Sequence, residues 1–104
     1  MSVFEVRIEG DAHVTVSGDL DMATGPQLVS AVESLAGTEV QRVILDLSGV
    51  TFLDSSGVSA LLLAKAKLDV DGTVLVLAET TPQVHAVLEM CGLVNEFVRD
   101  TRPS

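Results

Sequence analysis

Two stretches of this chain, Val43-Ile44-Leu45-Asp46-Leu47 and Thr73-Val74-Leu75-Val76-Leu77, are mostly unbroken apolar runs of strand length. Runs of that kind mark strands covered on both faces, as in the parallel part of a sheet. Between them a segment beginning near Ser56 carries Val58, Ala60, Leu61, Leu62, Leu63 and Ala64, then Lys65 and Lys67, then Asp71-Gly72. It is nearly apolar all round for three turns, takes its lysines where the helix dipole favours cations, and ends on turn-forming residues. Parallel neighbours need a long crossover, so strand, apolar helix and strand are expected to form one β-α-β unit. The chain is thereby expected to be α/β. With 104 residues, 47% of them hydrophobic and 20% charged, it holds enough apolar side chain for one core and one domain over residues 1–104.

The flanking segments complete a mixed sheet. Phe4, Val6 and Ile8 alternate with Glu5, Arg7 and Glu9, and Ala12, Val14 and Val16 repeat the period of two. Gly10-Asp11 between them suits a two-residue type II′ turn, so the domain should open with an antiparallel hairpin. Gly18-Asp19-Leu20-Asp21 is expected to be a loop. Thr24 with Gln27 forms a capping box ahead of Leu28, Ala31, Val32 and Leu35, a helix that Gly37 should end. Thr80-Thr81-Pro82-Gln83 introduces a second amphipathic helix with Val84, Val87, Leu88 and Cys91, closed by Gly92. Glu96-Phe97-Val98 suits a short closing strand, and Thr101-Arg102-Pro103-Ser104 a frayed tail. The expected architecture is a four- to five-stranded mixed sheet backed by three to four helices.

Charge and cysteine content narrow the function. Six Lys and Arg against 15 Asp and Glu give a formal charge of -9, which repels phosphate backbones and anionic bilayers, so neither direct nucleic-acid nor membrane binding is expected. One cysteine and two histidines supply no disulfide and no four-ligand zinc site; no cofactor is expected, and the compartment is expected to be reducing. The start has no basic segment followed by an apolar stretch. Apolar runs such as Ala60 to Ala64 fall far short of the ~20 residues a membrane span needs, and a cytoplasmic location follows as the expectation.

The chemistry concentrates in Leu53-Asp54-Ser55-Ser56-Gly57, where a strand-like segment, Thr51-Phe52-Leu53, enters the apolar helix. A helix N-terminus offers unpaired N–H groups and partial positive charge, a setting that welcomes an oxyanion, including a phosphoryl group carried by a serine. Spacing alone favours a plainer capping loop, with Asp54 or Ser55 bonding the first turn and Gly57 allowing close packing.

Taken with Gly18-Asp19-Leu20-Asp21 and with Pro82, Val84, Leu88, Met90 and Gly92-Leu93, the D-S-S-G element resembles the STAS-domain anti-sigma factor antagonists of bacteria. The similarity runs in order along nearly the whole chain; D-S-S-G in its strand-loop-helix setting is its specific part. It implies a protein that acts by partner switching and not as an enzyme: it binds an anti-sigma factor serine kinase, which frees a sigma factor. The kinase phosphorylates the first serine of the motif, and a PP2C-type phosphatase removes the phosphate. Transferred onto this sequence, Ser55 is the acceptor, Asp21 contacts the kinase, Asp54 frames the hydroxyl, and Ser56 and Gly57 shape the helix start. Asp19, Thr24 and Val58 complete the expected docking surface. Ser56 is no departure, since the family takes Ser or Thr there.

Alternatives stay open. STAS domains also serve as transport accessory or sensor subunits without phosphorylation, and a receiver domain with Asp46 or Asp54 as acceptor is conceivable, although the opening hairpin argues against it. Asp19-Leu20-Asp21 resembles the aspartate pair of magnesium-dependent phosphotransferases, yet Lys65 and Lys67 are poorly placed to serve such an enzyme. His13 and His85 are expected to be structural or exposed. Cys91 and Met90 are expected to pack in the core, as are Leu61 and Leu62, with Val58 and Ser59 left open between core and docking surface.

Overall fold

The two apolar runs lie side by side and parallel in a computed structural model, which describes residues 4–10, 12–93 and 95–99. In chain order the elements are β1 (Glu5–Glu9), β2 (His13–Leu20), α1 (Gly25–Glu33), β3 (Arg42–Leu53), α2 (Ser55–Asp69), β4 (Val74–Glu79), α3 (Pro82–Met90) and β5 (Val98–Arg99). They form one five-stranded sheet in sequence order, antiparallel between β1 and β2 and parallel thereafter. This is the mixed sheet expected, with three helices. The closing strand lies slightly later than Glu96-Phe97-Val98, while Phe97 is buried. The expected frayed tail, residues 101–104, lies outside the described residues.

The core sits between the sheet and the helices. Val14, Val16 and Leu20 of β2 and Val43, Leu45 and Leu47 of β3 meet Leu28 and Val32 of α1 and Leu61, Ala64 and Leu68 of α2, all fully buried. Coverage on both faces is complete for Leu75, Val76 and Leu77 of β4 but not for β3, whose alternate residues Ile44 and Asp46 are half-buried. α2 crosses from β3 to β4, and α3 packs back on β3.

The hairpin differs from a two-residue turn. Glu9 pairs with His13, which leaves residues 10–12 between the strands, and Gly10 takes a φ of 62°. Asp11 itself lies outside the described residues. β2 also continues through Gly18, Asp19 and Leu20, so most of the expected loop is strand. β3 does not stop at Ser48-Gly49 either. Its register slips against β2 between Thr15 and Ser17 and again between Gly18 and Asp19, so bulges let a 12-residue strand follow an 8-residue one. The Asp46 carboxylate accepts from the Ser48 N–H at 2.9 Å within the first bulge. Gly49 is required there, because a Cβ would lie 2.8 Å from the Cβ of Ser17.

The two Thr-Pro helix starts are also not one device. At α3 the Thr81 hydroxyl accepts from the Val84 N–H at 3.1 Å, an ordinary N-cap. At α1 the Thr24 side chain makes no cap bond. Its hydroxyl donates instead to the Asp19 carbonyl at 2.7 Å and accepts from the Asp21 N–H at 2.9 Å, so it serves the preceding turn. α1 ends at Glu33, before Gly37, which takes a φ of 78° in the following turns.

Candidate functional site

Leu20 and Leu53 are register partners at the ends of two parallel strands. The segments that leave them, Asp21 to Thr24 and Asp54 to Ser56, therefore emerge side by side at the carboxyl edge of the sheet, the usual place for function in open α/β sheets. Gly57 closes the gap: any Cβ there would collide with the Leu20 carbonyl oxygen and lie 2.6 Å from Leu53 Cδ1. The first turn of α2 thus rests directly on the end of β2.

Asp54 is the N-cap. It is extended at φ -115° and ψ -173°, and its carboxylate accepts from the Gly57 N–H at 2.9 Å. Of the two capping candidates in the sequence, the aspartate takes the role. Ser55, the first residue of the helix, is left exposed, and its hydroxyl has no hydrogen-bond partner among the described residues. Its backbone N–H and that of Ser56 have no intrahelical acceptor, which gives this end its affinity for negative charge. The Ser59 hydroxyl donates to the Ser55 carbonyl at 3.0 Å, a bond within the helix. Asp54→Ala is expected to cost about 1 kcal/mol of stability in urea unfolding, and Asp54→Asn far less, because the amide oxygen still accepts from Gly57.

On the β2 side, one Asp21 carboxylate oxygen is taken up internally. It accepts from the Ala23 N–H at 2.9 Å and from the Thr24 N–H at 3.1 Å, with the Thr24 hydroxyl 3.2 Å away. Thr24 therefore holds the Asp21 turn in shape and is itself only half-exposed. Asp19 lies within β2 and receives the Thr51 hydroxyl at 2.9 Å, so it belongs to the half-buried face of the sheet.

A groove of about 450 Å³ runs from this edge between α1 and α2, with Asp21, Met22 and Ser56 at one end and Glu33 and Leu63 further along. Ser56 is half-buried and belongs to its wall.

The structure brings together Asp21, Thr24, Asp54, Ser55, Ser56 and Gly57, but it changes the part some expected residues play. Val58 is 4% exposed and joins the core, because it points into the sheet one residue past Gly57, so its side chain cannot meet a partner. Gly57 is buried and acts by close approach alone. Leu61 is core as expected, whereas Leu62 and Ser59 are exposed. Met90, 86% exposed, and Cys91, also exposed, are not core: they sit where α3 ends, beyond the surface that Val84 and Leu88 cover. His85 is half-buried beside Glu89 on α3, and His13 is half-buried on β2. Sequence reasoning missed the groove and Met22, which is 79% exposed at its mouth. Among the described residues no helix is long and apolar enough to cross a membrane, and no three His, Cys, Asp or Glu are grouped to hold a metal ion.

The fold has known counterparts. The model of the STAS domain matches residues 4–104. An anti-sigma F factor antagonist of Paenibacillus polymyxa is 28% identical over 94 residues, covering 85% of this chain and 80% of the relative. BtrV of Bordetella bronchiseptica, provisionally named an anti-sigma factor antagonist, is 32% identical over 92 residues, covering 88% of this chain and 78% of that protein. The crystal structure of an anti-sigma factor antagonist from Mycobacterium paratuberculosis superposes with a TM-score of 0.76 at 25% identity, over 98% of this chain and 87% of that one. With the matched region spanning almost its full length, the chain belongs to the STAS domain family.

Proposed function

We propose that this protein is an anti-sigma factor antagonist that docks on an anti-sigma factor serine kinase in the cytoplasm and is switched off by phosphorylation of Ser55. Family membership and the names of both relatives support the antagonist role. One observation carries the switch. Ser55 presents an exposed hydroxyl, without a partner among the described residues, at the first position of a 15-residue helix, beside the Asp21 turn.

The chemistry belongs to the partners, and the protein catalyses nothing itself. The kinase moves the γ-phosphoryl group of ATP onto Ser55 Oγ: the bond to the leaving ADP breaks, the O–P bond forms, and the hydroxyl proton passes to a base on the kinase. A PP2C-type phosphatase returns the serine by hydrolysis. Within this chain, the N-terminus of α2 hosts the phosphate at no structural cost, while a docked partner meets roughly 1.5 to 2 new negative charges.

The test is incubation with anti-sigma factor serine kinases and ATP, followed by peptide mass spectrometry. One phosphate is expected on Ser55, none on Ser55→Ala, and the ester should survive acid and hydroxylamine. A hydroxylamine-labile acyl phosphate on Asp46 or Asp54 would establish a receiver instead. Stable binding with no modification would establish an unphosphorylated adaptor.

A further inference from the structure

β1 is the outer strand of the sheet: it pairs with β2 on one side, and among the described residues no strand pairs with it on the other. An edge of this kind presents a row of backbone N–H and C=O groups that a further strand can take up. Proline, lysine or a bulge commonly guards such an edge, but β1 has no proline or lysine and its register against β2 is unbroken. At the opposite edge β5 has only two residues. Val6 and Ile8 pair with the buried Val16 and Val14 and so share the helix side of the sheet, whereas Glu5, Arg7 and Glu9 are exposed on the other face, opposite Ser17, Thr15 and His13. Val6 is half-buried, while Ile8 is 43% exposed. Beside Val6 opens a recess of about 500 Å³ walled by Pro26, Gln27, Ser30 and Ala31 of α1, with no charged residue in its lining.

We propose that two copies of this protein associate through β1, antiparallel across a two-fold axis at Val6, into one continuous sheet. The charge pattern chooses both the occupant and the register. From Phe4 to Ile8 the strand reads apolar, acidic, apolar, basic, apolar. Reversed against itself about Val6, it sets each Glu5 opposite Arg7 of the second copy, Phe4 opposite Ile8, and Val6 opposite Val6. Opposite charges and apolar pairs that face one another stabilise neighbouring strands. Centring on Arg7 would oppose two arginines and set Glu5 against Glu9, and centring on Ile8 would run Val6 against Gly10 in the turn. A shift by one residue would put the apolar side chains of one copy on the charged face of the other. The helices fit the same arrangement. α1 lies over β1 and β2, and strands stand about 4.8 Å apart, so the axis brings the two α1 helices to about 10 Å, a distance at which helices pack. The uncharged recesses beside Val6 then face each other. Such an interface uses up both β1 edges and stops at two copies. The formal charge of -9 on each copy opposes association, so the dimer is expected to be reversible and to form at physiological salt, where charges more than about 8 Å apart are screened. It needs neither kinase nor phosphate, and stands or falls apart from the function proposed above.

Sedimentation equilibrium at physiological salt tests this on wild type, Glu5→Arg, Arg7→Glu and the double variant E5R/R7E. Wild type is expected to pass from monomer to dimer below roughly millimolar concentration. Each single variant sets like charges opposite one another twice per dimer and should weaken association at least about tenfold. The double variant exchanges the two charges and should return to within about threefold of wild type, and an equimolar mixture of the single variants should form a heterodimer more tightly than either forms its own dimer. Both side chains are exposed, so at a dilution where wild type is monomeric all the variants should unfold near its thermal midpoint. Glu5→Arg also makes the chain less negative, so tighter association of that variant would show that overall repulsion governs, and it overturns the inference. Wild type that stays monomeric up to roughly millimolar concentration, single variants that dimerise like wild type, or a mixture without preference for the heterodimer overturns it equally.

Discussion

Gly57→Ala lowers the free energy of unfolding by about 3 kcal/mol, which is opposite in sign to what helix propensity predicts. In an open helix, alanine gains roughly 1 kcal/mol over glycine. Gly57 is not among the glycines of positive φ, so the backbone itself accepts alanine. The obstacle is what lies against it. The new methyl would overlap the Leu20 carbonyl oxygen, sit 3.0 Å from the Leu20 carbonyl carbon and press on Leu53 Cδ1 at 2.6 Å. Leu20 cannot retreat, because it is fully buried and held in register with Leu53 between parallel strands. α2 must therefore lift from the sheet, which parts the Asp21 turn from Ser55. For a chain of this size the loss corresponds to a fall in Tm of about 12 to 20 °C, read by thermal and urea unfolding. Gly72→Ala is the control: nothing stands within 4 Å, and only its φ of +74° is strained, at a cost of about 1 kcal/mol. Equal midpoints for Gly57→Ala and wild type would mean that the helix start does not rest on β2.

That contact shows what a sequence of this kind can and cannot disclose. The crossover and the opening hairpin were legible because each depends on local periodicity: unbroken apolar runs in β3 and β4, strict alternation in β1 and β2. The site was legible where it depends on a local signal, the D-S-S-G element at a helix start, including an aspartate able to cap. What escaped depends on pairing between distant segments. The bulges that carry β3 across Ser48-Gly49 exist only against β2, and the Thr24 hydroxyl leaves its helix because the Asp19 carbonyl and the Asp21 N–H are nearer. Apolarity alone also misplaced Leu62, Met90 and Cys91, because an apolar stripe does not say where the surface it covers ends. Val58 lies next to the motif and yet in the core, since one step along a helix turns a side chain by about 100°. The groove was invisible for a related reason: it needs Gly25 opposite Ala60, residues with no neighbouring signal.

Ser55→Asp and Ser55→Ala should separate by about a hundredfold in affinity for the anti-sigma kinase, with the aspartate variant the weaker. A hundredfold change is about 2.7 kcal/mol, within reach of one misplaced, partly desolvated charge at a protein interface. Unfolding cannot be the cause. The first turn of α2 contains no acidic residue, and a carboxylate there interacts favourably with the helix dipole by about 0.3 to 1 kcal/mol, so Ser55→Asp should be at least as stable as wild type. The hydroxyl is exposed and unpartnered among the described residues, so Ser55→Ala removes no bond that the fold uses and should bind like the unmodified protein. Repulsion therefore has to arise against the partner, whose docking face must accept the Asp21 turn and would meet an added charge one residue from Asp54. Because the interaction is between charges near a wet rim, the gap between the two variants should narrow as salt rises from low to physiological strength. Calorimetric titration of the kinase with both variants, alongside their thermal midpoints, reads this directly: equal affinities at low salt would leave Ser55 without control over docking.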